Sequence, residues 1–224
     1  MQKITKYKKN ITSLVVLTLV LMVSGASCKK EQETGTLYGI NTDKVSGEPV
    51  KGVNVELLST DYKAQTGTDG WYKFTEVEMG EYELQVSKQS YSFVKKQVTV
   101  QNNSVRGDAQ IEQVPTFQYN GHTYMVAPEA EEHMILTYAH YSYCQNLSQY
   151  GYSDWRLPTI EELQQMYIDK DNIGGFQDKV YWSSTYSRNV SSGDLYYCVL
   201  FSNGNVQEAL PSSFLRVRPI RVEK

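Results

Sequence analysis

The stretch DWRLPTIEEL, residues 154–163, constrains the fold of this 224-residue chain more than any other part of it. Thr159 and Glu162 form the pair T-x-x-E, a capping box that supplies partners for backbone N–H groups a helix start leaves unbonded. Pro158 stiffens the backbone just ahead of it. Ile160, Leu163, Met166 and Tyr167 then recur at helical spacing and give one apolar face. A helix therefore begins near residue 160, and the C-terminal part of the chain cannot be all β. The charges of the stretch look like chemistry, but each has a structural use. Glu161 and Glu162 lie at the positive end of the helix dipole, where acids stabilise by a few tenths to about 1 kcal/mol. Adjacent positions on a helix do not face each other, which argues against a paired acid–base role. Arg156, between Trp155 and Leu157, is placed for partial burial and needs acceptors, with backbone carbonyls or Asp154 within reach. Trp155, Arg156, Pro158, Thr159 and Glu162 thus read as a structural corner.

The N-terminus has the order of an export signal. Lys3, Lys6, Lys8 and Lys9 precede an apolar run from Ile11 to Val23, which is shorter than the ~20 residues a membrane span needs. Small residues follow, then Cys28. A cysteine in that position resembles a bacterial lipoprotein signal, looser than usual because Gly25 stands three before it, and like those of the Bacteroidetes type. The resemblance implies a lipid on Cys28, cleavage after residue 27, and a place in the outer membrane or on the cell surface of a Gram-negative cell. Residues 28–35 then read as a tether. Losing residues 1–27 removes four lysines and no acid, so the net charge of −3 becomes −7. That balance argues against nucleic acid as a general partner, because phosphate needs basic surface.

Residues 36–114 alternate in the manner of strands. Val53, Val55 and Leu57 share one face, as do Tyr82, Leu84 and Val86, and Val94, Val98 and Val100 follow less regularly. Turn signals at Ser46-Gly47, Asp69-Gly70 and Met79-Gly80 separate short runs, the pattern of a small sandwich. Asp69-Gly70 reads as a hairpin-type turn. Residues 115–224 are mixed. Asn120-Gly121 joins two short β runs. Ala139, Tyr143 and Leu147 fall on one helical face, with Gly151 as a stop signal. After the second helix, YWSST is a strand, 186–194 a polar loop, LYYCVLF an apolar strand, and Asn203-Gly204 a further hairpin. LRVRPIRV closes the chain as a strand in which Pro219 marks an edge or bulge.

Candidate sites are few. Cys144 and Cys198 stand either as a disulfide, in an exported setting, or as two buried thiols. No Cys/His spacing of a metal site is present, and no cofactor is implied. DKDNIGG echoes an EF-hand loop, but Val180 occupies the position of its bidentate glutamate, so a helix exit is the better reading. His140 and Cys144 share a helix face, which alone makes neither a triad nor a metal site. Tyrosines crowd the second region. Within the polar loop, Tyr186 and Arg188 are the candidate ligand-facing pair, since loops on rigid scaffolds carry binding.

Two family resemblances sharpen this. Gly47, Pro49, Gly52, Val55, Thr68, Asp69, Gly70, Tyr72, Phe74, Gly80, Tyr82, Leu84 and Val86 resemble the carboxypeptidase regulatory-like family, which implies an all-β, prealbumin-like sandwich used as a spacer or binding module. Cys144, Leu147, Gly151, the run from Asp154 to Thr159, Glu162, Leu163, the run from Tyr181 to Thr185, Arg216 and Arg218 resemble the Lcl C-terminal domain family, related to the Fibrobacter succinogenes major paralogous domain. That implies an α+β, C-type-lectin-like domain after the sandwich. A cysteine common between the last arginines of the family is Val217 here, which leaves Cys198 as the candidate partner for Cys144. A looser similarity to formylglycine-generating enzymes does not extend to their two closely spaced late cysteines. The chain is therefore expected to be a non-enzymatic, lipid-anchored binding or adhesion module for a glycan or protein ligand. The alternative is an accessory subunit of a surface assembly.

Overall fold

The computed structural model describes residues 33–128, 133–135, 137–191 and 193–224. The signal segment and Cys28 lie outside the described residues, as do the side chains of His133 and His140. Residues 32–224 form one compact unit.

The first strands are β1 (Thr34–Asp43), β2 (Asn54–Leu57), β3 (Lys63–Gln65), β4 (Trp71–Glu78), β5 (Gly80–Ser87), β6 (Val94–Val100), β7 (Ser104–Arg106) and β8 (Ala109–Ile111). They make two sheets, one ordered β4-β1-β7 with β8 also beside β1, the other β3-β2-β5-β6. Leu37, Val53, Val55, Leu57, Leu84 and Val86 are all buried in the cluster between them, so the alternation in the sequence is the inward face of a sandwich. β1 runs antiparallel to β4 but parallel to β7 and β8. The Asp69-Gly70 turn does not close a hairpin. It passes the chain from β3 in one sheet to β4 in the other. Gly70 takes φ 72°, and a Cβ there would sit 2.7 Å from the Asn41 carbonyl oxygen. Local turn chemistry cannot tell these two connections apart, because both require the same backbone conformation.

The second region contains β9 (Thr116–Tyr119), β10 (His122–Val126), β11 (His133–Ile135), α1 (Thr137–Asn146), α2 (Ile160–Ile168), α3 (Lys170–Ile173), β12 (Val180–Val190), β13 (Gly193–Leu200), β14 (Asn205–Ala209), β15 (Leu215–Val217) and β16 (Ile220–Val222). Its sheets are ordered β16-β10-β9 and β11-β15-β12-β13-β14. Ile160, Leu163 and Met166 of α2 are buried against Phe117, Tyr181 and Phe201. The chain is thus a β-sandwich followed by an α+β region.

Two expectations are corrected here. Residues 186–194 are not a loop but the outer end of the β12–β13 hairpin, paired Tyr186 with Tyr196, Arg188 with Leu195 and Asn189 with Asp194. The buried base has Trp182 opposite Cys198, and the register shifts twice before the polar outer end, on either side of Tyr186. The terminal LRVRPIRV is two strands in two sheets. Pro219 lies between them, with no N–H to give a ladder, and its carbonyl accepts from the Ala127 N–H at 2.8 Å.

Candidate functional site

The cassette is a polar knot. Thr159 caps α2: its hydroxyl accepts from the Glu162 N–H at 3.3 Å, and the Glu162 carboxylate accepts from the Thr159 N–H at 2.7 Å. The same carboxylate takes both terminal nitrogens of Arg156, each at 2.7 Å. Arg156 also donates to the Leu157 carbonyl at 2.9 Å. Glu162 is 4% exposed. Burial alone would raise its pKa, but donors from Arg156 and the Thr159 backbone outweigh that and hold it below the usual carboxylate range. Glu161 is exposed. The YWSST strand completes the knot: Ser184 donates its N–H to the Pro158 carbonyl at 2.8 Å, and Thr185 Oγ1 accepts from the Ile160 N–H at 2.9 Å. DWRLPT and YWSST are therefore two halves of one helix start.

Asp154 does not serve Arg156. It binds Arg221 through both oxygens, at 2.6 and 3.2 Å, and this bond lowers its pKa. The Arg221 guanidinium lies 3.8 Å from the ring centroid of Tyr152, and the Tyr152 hydroxyl donates to the Tyr91 carbonyl of the sandwich at 3.1 Å. Beside it the Phe93 N–H donates to the Tyr150 carbonyl at 2.7 Å, and the Ser90 N–H to the Glu223 carboxylate. Gly151 fits because it lacks a side chain: at φ 81° a Cβ would lie 2.0 Å from the Phe93 carbonyl oxygen. The cassette therefore braces the seam between the two regions as well as a helix. Arg221 was not singled out from the sequence; 67 residues separate it from Asp154. Arg218, 2% exposed, donates to the carbonyls of Ala127, Gly174 and Gly175. In DKDNIGG, Asp169 is the C-cap of α2 and the short α3 follows at once, ending at Gly174, so the stretch is a helix junction where a plain exit was expected.

Cys144 and Cys198 are free, buried thiols in one apolar cluster with Leu157, Trp182 and Val217. Of the two readings open from the sequence, the structure takes the unbridged one. Burial pushes the Cys144 thiol up to about 12 and the Cys198 thiol to about 11, so neither is a ready nucleophile.

Tyr186 and Arg188 lie near the far end of the β12–β13 hairpin. Tyr186 is 49% exposed and meets Tyr196 edge to face, centroids 5.9 Å apart. Arg188 pairs with Glu208 of β14 at 2.8 Å. Glu208 also accepts from the Ser187 hydroxyl, which, with Arg188, lowers its pKa. Strand pairing and these bonds place both candidate side chains on a rigid element.

The family model of the Lcl C-terminal domain matches residues 101–221. The chain belongs to this family. Residues 36–112 match the carboxypeptidase regulatory-like domain. Of the residues on which the resemblance rests, Asp154, Arg156, Thr159, Glu162, Ser184, Thr185 and Arg218 are all engaged in the bonds above. No curated protein matches the chain. Similar solved structures include a type II cohesin–X-dockerin complex from Acetivibrio cellulolyticus, at 16% identity over 39% of this chain and TM-score 0.33. Others are a DUF3823 family protein from Bacteroides uniformis, at 15% over 42% and TM-score 0.28, and the minor pilin of Streptococcus agalactiae, at 18% over 39% and TM-score 0.32. The chain spans 62%, 52% and 48% of those chains respectively.

Proposed function

We propose that this family member is a lipid-anchored protein of the outer membrane or cell surface, attached through Cys28, that binds a glycan or protein ligand without transforming it. The observation that carries the reading is the hairpin end. It holds a half-exposed tyrosine beside an arginine on a scaffold stiffened by strand pairing, the combination that dominates binding surfaces. The cassette groups that resemble catalytic ones are bonded to one another instead. The ligand side of the proposal is tested with full-length protein in a detergent without a sugar headgroup, on a glycan array and by affinity capture from envelope extracts. Specific capture that disappears when Tyr186 and Arg188 become Ala is the expected result. Capture that survives the double substitution sinks this site, and turnover of any captured ligand sinks the non-enzymatic reading. The anchor is tested by Cys28→Ala. The variant should leave the membrane fraction, and the anchor assignment is wrong if it stays.

A further inference from the structure

The outward face of the β4-β1-β7 sheet carries a second feature, which shares no residue with the hairpin end. Along β1 the buried positions are Gly35, Leu37, Gly39 and Asn41, so Thr36, Tyr38 and Ile40 point away from the core. On β4 the outward positions include Trp71 and Lys73, paired with Ile40 and Tyr38. On β7, Ser104 and Arg106 pair with Thr36 and Tyr38. The Tyr38 and Trp71 rings meet diagonally across one strand pair, their centroids 6.1 Å apart and their planes within 17° of parallel. The Arg106 guanidinium stands 5.4 Å from the Trp71 ring centroid and is itself held by Asp108 at 2.8 Å. Asp69 is fixed as well, its carboxylate accepting from the backbone N–H of Trp71 at 3.2 Å.

The Tyr38 and Arg106 contacts orient the indole, yet 39% of Trp71 remains exposed, whereas Trp155 and Trp182 are 3% and 0% exposed. A concavity of about 530 Å³ is lined by Tyr38 and Trp71 together with Thr36, Ser104, Asp69 and Lys73. Small-molecule sites run to roughly 300–1,000 Å³, with an apolar floor and a few polar groups at fixed positions.

We propose that this face binds a pyranose ring of a saccharide. Aromatic faces carry partial negative charge. One side of a pyranose presents C–H hydrogens of partial positive charge, while its hydroxyls radiate from the ring edge. Such a ligand needs a floor of oriented aromatic rings and a rim that both donates and accepts. The exposed part of Trp71, with Tyr38 stacked against it, supplies the aromatic surface. The Thr36 and Ser104 hydroxyls do both jobs at the rim, the Asp69 carboxylate accepts, and the Lys73 ammonium donates. Preorganisation of the indole by Tyr38 and Arg106, and of the Asp69 carboxylate by the Trp71 backbone, lowers the cost of ordering the site on binding.

The test uses full-length protein in a detergent with no sugar headgroup. It is screened on an array of glucose, galactose, mannose and uronate oligosaccharides, and the hits are titrated by calorimetry and tryptophan fluorescence. Because Trp71 is the exposed tryptophan, a bound pyranose should shift the emission. Trp71→Ala should weaken binding about tenfold or more, Tyr38→Ala less, and Trp71→Phe should restore part of the loss. Each variant should stay folded, with an unchanged circular-dichroism spectrum and a cooperative melt only modestly lowered by the lost ring contacts. The Tyr186→Ala, Arg188→Ala double variant should bind these saccharides as the parent does, which separates this site from the hairpin end. A uronate preference that Lys73→Gln removes assigns charge selection to Lys73, and an equal response to neutral sugars assigns recognition to the ring face alone. A blank array, or saccharide binding that survives Trp71→Ala, overturns the proposal.

Discussion

The sandwich gathers its buried apolar side chains into one cluster, while the region after it divides them among three and sets buried polar groups between them. In the sandwich the buried polar groups are uncharged, namely Asn41, Thr66 and Ser92; in the second region they include Glu162, Arg218 and Arg221. Apolar burial is non-directional and roughly proportional to area, so many sequences can fill a sandwich. A buried guanidinium has fixed donors that must each find an acceptor, so few arrangements satisfy it. The second region is therefore tied to specific residues at specific spacings, and its signature is written in polar letters.

The strongest way to break the comparison is at the seam. Gly151→Ala combines a left-handed backbone with a clash against Phe93 and should cost roughly 4 kcal/mol or more, the exceptional end of single substitutions. Denaturant unfolding followed by region-specific hydrogen exchange would report it. A loss under about 1 kcal/mol would mean that the seam yields and the regions are only loosely joined. Leu84→Ala, at a fully buried sandwich position, should cost about 2–5 kcal/mol through lost burial and a cavity.

Glu162→Ala should cost roughly 2 kcal/mol, below the value for a fully buried pair because the Arg156 side chain is 42% exposed. A double-mutant cycle with Arg156→Ala should show coupling, whereas Leu84→Ala combined with either should add. The same carboxylate sets a pH signature. Its folded pKa is depressed, so its contribution is present above the unfolded value of ~4.3 and is lost as pH falls through the lower folded value. Melting temperatures measured from pH 7 to 3 should converge for parent and Glu162→Gln only at the acid end. Divergence there would mean that Glu162 is not the group titrating. The smallest effect belongs to Arg188→Ala. Its exposed pair with Glu208 is worth at most about 1 kcal/mol, so a melting shift of many degrees would recast the hairpin end as structural.

Much of this was legible in the sequence, for physical reasons. Strand alternation is local, and Val53, Val55 and Leu57 face the core as their spacing implies. The capping box is local too, because its partners are three residues apart. What escaped was set by distant partners. Gly151 reads as a helix stop, but its lack of a side chain is required by Phe93, 58 residues away in the sequence. Asp154 looked available to Arg156 until Arg221 was brought beside it by β16. The second use of Glu162 was hidden because one carboxylate serves a backbone N–H and a guanidinium together. Residues 186–194 read as a loop because their composition is polar, and only the paired base below them reveals a strand. Trp71 follows the T-D-G turn that identifies the sandwich, and its exposure depends on which face of β4 meets the other sheet.

The placing of β1 has a consequence under mechanical load. It is the first strand of the described residues, and it is clamped on both flanks, by β4 running against it and by β7 and β8 running with it. Tension applied at Thr34 along the strand axis would load these bonds together in shear, instead of opening them one after another like a zip. A protein tethered at that end should yield at high force in single-molecule stretching, and at much lower force when pulled at β3, an edge strand of the other sheet that can peel from β2. Under the anchor proposed at Cys28, the load on the chain would be the first kind of pull.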